Sequence, residues 1–126
     1  MKSFFVALSI FLVLILSGTA FDFCLNRTSK ELLKSCEEIR ENIKEEKMTE
    51  AYDKAAALSE YIDSKKPLLS SILDHGNIDE IEEQISELLG FAEQNDVIDA
   101  VVSIKKLRHM FEHLPENYAL TLQNIL

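Results

Sequence analysis

The chain has 126 residues, of which 22 are acidic and 13 basic, giving a formal charge of −9. This balance argues against a nucleic-acid or anionic-lipid binder, which gathers Lys and Arg into a patch that replaces counterions. Only three Gly and two Pro occur beside abundant Glu, Lys, Leu, Ile and Ala, so helix is favoured over sheet, and the composition argues against a Gly-rich phosphate loop.

The first element is apolar. Phe4 to Phe21 is an 18-residue run without charge, preceded by Lys2, and twelve of its side chains are Phe, Val, Leu or Ile. As a helix it would extend about 27 Å, close to the hydrocarbon thickness of a bilayer. At roughly −0.5 kcal/mol for each such side chain, the run favours insertion by about 5 kcal/mol. Residues 1–23 therefore form a membrane anchor or a signal segment. Ser17-Gly18-Thr19-Ala20 contains small residues suited to a signal peptidase, whereas Thr19, Ala20 and Phe21 extend the run to full spanning length and favour a retained anchor. Under either alternative Lys2 keeps the front end cytoplasmic and residues 24–126 lie on the far side.

About 100 residues suffice for one domain with a modest core. Thr28 with Glu31 has the form of a capping box and predicts a helix to about Glu46, with Leu32, Cys36, Ile39 and Ile43 on one stripe. Lys47 to Thr49 is a predicted corner with Thr49 as its cap, and a second helix carries Ala51, Ala55, Leu58 and Ile62. Pro67 should kink that helix, which continues to about Asp74. Gly76 then suits a left-handed closing position, and Asn77 with Glu80 forms another capping box. A third helix, from Ile78 to about Gln94, carries Ile81, Ile85, Leu88 and Ala92. A fourth, from Val97 to about His113, carries Ala100, Ile104, Leu107 and Phe111, with Pro115 as a stop and a tail whose Leu120, Leu122 and Ile125 fold back on the core.

A constant shift of 49 lays the first half on the second: Leu32, Cys36, Ile39 and Ile43 on Ile81, Ile85, Leu88 and Ala92, then Ala51, Ala55, Leu58 and Ile62 on Ala100, Ile104, Leu107 and Phe111. The predicted fold is all-α: a transmembrane or signal helix, then a four-helix antiparallel bundle made of two helix hairpins, about 28–74 and 77–114, with a tail over 115–126.

Few residues suggest chemistry. His109 and His113 are four apart on one helix face, the spacing used by paired zinc ligands, and His75 and Asp79 would join them if the ends of the second and fourth helices met. His75 placed near a helix end also has a structural explanation, since exposed carbonyls there stabilise a cationic imidazole. Paired acids such as Glu45-Glu46 and Glu82-Glu83 read as solvated surface. Cys36 fits the core stripe and Cys24 is juxtamembrane. On one continuous helix they would be about 18 Å apart, too far to bridge.

The opening Met1-Lys2-Ser3-Phe4-Phe5, the Thr28-Ser29 pair, Ile72-Leu73-Asp74-His75 with Ile78-Asp79-Glu80-Ile81-Glu82, and His113-Leu114-Pro115-Glu116 with Leu120 to Leu126 resemble the bacterial domain-of-unknown-function family 4363. The resemblance spans essentially the whole chain. It implies bacterial origin, a retained anchor and a helical remainder without an established activity, and it marks Asp74, His75, Asp79, His113, Pro115 and Glu116 as positions to watch.

The expected function is that of a non-enzymatic, membrane-anchored helical interaction module outside a bacterial cell membrane. Its partners are the membrane and another envelope protein, with no cofactor, nucleic acid or small-molecule substrate. The alternatives are a metal or acid-base site from His75, Asp79, His109 and His113, or a cleaved, secreted helical protein.

Overall fold

Helix α1 runs unbroken from Lys2 to Lys44 in the computed structural model, which describes residues 1–114. At 1.5 Å per residue it is about 64 Å long. Its first half is an exposed apolar rod: the most hydrophobic 18-residue window has a mean hydropathy of 2.5 and no buried residue. From Leu25 onward the same helix buries one face. The predicted start at Thr28 is therefore not a start. The backbone N–H groups of residues 28–31 already donate to carbonyls one turn earlier, so a capping hydroxyl has nothing to satisfy, and Thr28 is buried inside the helix.

Glu45 to Lys47 turn the chain, with Glu46 in the left-handed region at φ 59°. Helix α2 spans Met48–Ser64, so Thr49 lies in its first turn instead of capping it. Pro67 stops the helix where a kink was expected. Helix α3 restarts at Lys66–Ser70 with Pro67 in its first turn, where the missing N–H would have had no helical partner in any case. Residues 71–73 turn again, with Ile72 and Leu73 buried.

Helix α4, His75–Glu93, begins three residues earlier than expected because Asp74 is its cap: the carboxylate Oδ1 accepts the Asn77 N–H at 2.8 Å. A carboxylate at this position satisfies an orphan donor and faces the positive end of the helix dipole. Gly76 accordingly lies inside the first turn, and among the described residues no glycine has a positive φ. Replacing it with Ala places the new Cβ at an ordinary 3.5 Å from Asp74 Oδ1. Gly76→Ala is thus expected to raise stability by about 0.5–1 kcal/mol, and Asp74→Ala to lower it by about 1 kcal/mol. Chemical denaturation of both variants checks this. A destabilising Gly76→Ala would restore the left-handed closing role. Helix α5, Val97–Glu112, is capped by Asp96, whose Oδ1 accepts the Asp99 N–H at 3.1 Å.

The shift of 49 extends to the backbone. Asn95, the counterpart of Glu46, is the other left-handed non-glycine residue, at φ 56°. In the first corner Glu45 N–H donates to Glu41 O, Glu46 to Ile43 O, Lys47 to Asn42 O and Ala51 to Lys47 O; in the second, Gln94 donates to Gly90 O, Asn95 to Ala92 O, Asp96 to Phe91 O and Ala100 to Asp96 O. Each bond maps onto its counterpart by adding 49 to both partners. All eight pairs of stripe residues are buried, and Ala51 and Ala100 are fully so.

Helix α1 packs on α2 and α5, and α4 packs on the same two, which closes a four-helix bundle. Under the repeat, the α1–α2 seam corresponds to α4–α5 and the α1–α5 seam to α4–α2. Each hairpin thus covers the apolar face that the other leaves open. The Glu46 and Asn95 corners share one end of the bundle. The other, near end receives α1 from the apolar segment and holds the end of α2 and, at the start of α4, the end of α5. Between helices, Ser103 Oγ donates to Gln84 O at 3.2 Å and Arg108 pairs with Glu37 at 3.6 Å. The predicted tail, with Pro115 and Glu116, lies outside the described residues.

Candidate functional site

His109 and His113 do meet. Their rings pack edge to face with centroids 4.4 Å apart, His109 in the last turn of α5 and His113 directly after the helix as its C-cap. His75 and Asp79 do not complete a set with them: His75 is the first residue of α4, and neither residue lines the cavities that His109 and His113 border. Among the described residues no three His, Cys, Asp or Glu side chains form a group that could hold a metal ion. The expected link between His75 and exposed helix carbonyls is also overturned. It is the first residue of α4, at the end where backbone N–H groups, not carbonyls, are exposed. Of the remaining family positions, Asp74 caps α4, Asp79 is exposed, and Pro115 and Glu116 lie outside the described residues.

Two surface features were not anticipated from the sequence. The first is a groove of about 680 Å³ along α4 and α5, bordered by Glu80, Gln84, Val102, Lys105, His109 and Met110. Ile98 and Val102 on α5 are 78% and 47% exposed, off the core stripe and one turn apart. Within the described residues the buried Gln84 Oε1 has no hydrogen-bond partner. The signal in the sequence was the surplus of apolar residues in α5, where Ile98, Val101 and Val102 exceed what one stripe requires.

The second is a cavity of about 440 Å³ at the near end, where α1 passes the end of α2; Phe23, Arg27, Glu31, Tyr61 and Lys65 border it. The Lys65 ammonium lies 5.8 Å from the centroid of the Tyr61 ring. Its neighbour Lys66 is bound to Glu82 at 3.0 Å, a hydrogen-bonded pair that raises the lysine above its usual pKa.

The cysteines occupy opposite environments, exposed for Cys24 and buried for Cys36, and both are free. Burial pushes the Cys36 thiol from 9.0 up to about 12, with the Arg108 charge opposing that rise. The unfolded chain therefore loses this proton before the folded one does. The Cys36 contribution to stability is intact below about pH 9 and declines as pH rises toward 12. A maleimide at neutral pH should modify Cys24 and spare Cys36 until the bundle is unfolded, as peptide mass mapping would reveal. The alkaline loss of stability should shrink in Cys36→Val.

Fold and surface together define an all-α protein: a four-helix bundle built from two matching hairpins and continuous with one helix long and apolar enough to span a membrane. Residues 20–125 match the family described as Domain of unknown function (DUF4363), and the chain belongs to that family. No curated protein and no solved structure matches it.

Proposed function

We propose that the chain is a single-pass protein of a bacterial cell membrane, whose bundle stands on the outer side and acts as a non-enzymatic interaction module for another envelope protein. The observation that carries this reading is α1: an exposed apolar rod and a bundle helix are one uninterrupted element. A bundle joined this way keeps a set height and orientation above the lipid, and tethering raises the effective concentration of a weak binding face. Lys2 ahead of the apolar run supports the outward topology. The α4–α5 side, with Ile98 and Val102 exposed, supplies the face.

A photo-cross-linker at Val102 in the native membrane should yield one discrete adduct that is absent when the probe is at Asp53 on α2. Equal labelling from both positions, or none from either, overturns the interaction role. A reporter fused after Leu126 that is active only inside the cell overturns the topology.

A further inference from the structure

We propose that the near-end cavity binds the phosphate of one phospholipid headgroup, an inference that rests on the membrane reading above. The apolar run ends at Phe21, and Leu25, the first residue of α1 buried in the bundle, lies four residues further on. That is about 6 Å along the helix axis, comparable with the headgroup layer on one side of a bilayer, roughly 5–8 Å. No stalk intervenes, because α1 is continuous there. The near end consequently sits among headgroups, and its cavity opens at their depth.

The side chains there suit a phosphate. Arg27 is about 9 Å beyond Phe21 along the helix, within reach for a long side chain that extends back toward the interface. Lys65 reaches the same cavity from the end of α2. Among the described residues neither Arg27 nor Lys65 pairs with a carboxylate, in contrast with Lys66 and Arg108. A guanidinium can take two phosphate oxygens in its fork, and an ammonium can take a third. Phe23, 66% exposed, and Tyr61 provide the aromatic rings favoured at this depth.

The acidic character of the chain shapes the inference. With a charge of −9, and with Glu31 in the cavity wall, a diffuse electrostatic attachment is repelled. What the geometry supports is a discrete site for one headgroup.

The test uses the full chain reconstituted in vesicles of phosphatidylglycerol and phosphatidylcholine, with flotation as the first step. A chain that fails to float refutes the membrane reading itself. For a chain that floats, native mass spectrometry after transfer to detergent should show one retained phospholipid. Arg27→Gln with Lys65→Gln should lower retention on the order of tenfold, through loss of two charge-assisted contacts. Lys105→Gln with Lys106→Gln, on the α4–α5 groove, which shares no lining residue with this cavity, should leave it unchanged. As a second measurement on the unaltered chain, added phosphatidylglycerol should slow maleimide modification of Cys24, which borders the cavity, and inorganic phosphate should not. Undiminished retention in the Arg27/Lys65 variant overturns the headgroup site, as does protection of Cys24 by inorganic phosphate alone.

Discussion

A chain carrying Leu12→Arg together with Leu14→Lys is expected to leave the membrane fraction while its bundle stays folded. Both leucines lie near the middle of the apolar run and are at least half exposed, Leu12 at 50% and Leu14 at 65%, so no protein surface is available to shield a charge placed there. Each cation near the centre of a span costs about 2.5–3.5 kcal/mol and also forfeits the roughly 0.5 kcal/mol of the leucine it replaces. The pair shifts insertion by about 7 kcal/mol, against the approximately 5 kcal/mol that the whole run contributes. The sign therefore reverses. Alkaline extraction of membranes reads the result, and circular dichroism should show an unchanged helical melting transition, because α1 first meets the bundle core at Phe21 and Leu25, beyond both substituted positions. A doubly substituted chain that still resists extraction would mean that the apolar rod is not what holds the protein in the bilayer. If the unsubstituted chain were already extractable and shorter than its gene predicts, the segment would be a cleaved signal.

The parts of the fold that were legible from sequence are those where one physical effect dominates. Burial of an apolar stripe repeats every three or four residues whatever surrounds the helix, so the stripes from Leu32 to Ile43 and from Ala100 to Phe111 could be read directly. Helix ends were less legible, because a cap is decided by competition. Thr28 has the form of a cap, yet the helix before it continues and leaves no orphan donors. Gly76 has the form of a stop, yet the Asp74 carboxylate two residues earlier starts the next helix around it. Asn95 advertises a left-handed corner and Glu46 does not, since Asn adopts that conformation far more readily. Only the repeat register would have placed the first corner correctly.

The candidate sites were almost invisible for a related reason. Arg27 and Lys65 are 38 residues apart, and nothing local to either announces that closure of the bundle brings them to one cavity. His75, Asp79, His109 and His113 show the converse: helical spacing unites the two at the end of α5 and cannot determine whether the two on α4 face them.

Phe111→Ala is expected to be the most destabilising single truncation in the bundle. Phe111 is fully buried near the end of α5, the helix that packs on both α1 and α4. Removing a buried phenylalanine side chain costs about 3–5 kcal/mol, from lost transfer free energy and the cavity left behind. A domain of about 90 residues has roughly 5–13 kcal/mol in total, so the loss amounts to a large share of it. At about 4–8 °C per kcal/mol, the melting temperature of the full chain in detergent should fall by about 20 °C. Its counterpart in the repeat, Ile62, is also buried, and Ile62→Ala should cost about 2–4 kcal/mol. The two positions fill equivalent places in matching hairpins, so the difference between them measures side-chain size. Should Phe111→Ala cost no more than Ser103→Ala, which removes one hydroxyl and its 3.2 Å bond to Gln84 O, the seam joining the second hairpin to α1 would have to be packed differently. The consequence would reach the apolar rod, because α1 is the single element that joins it to the bundle.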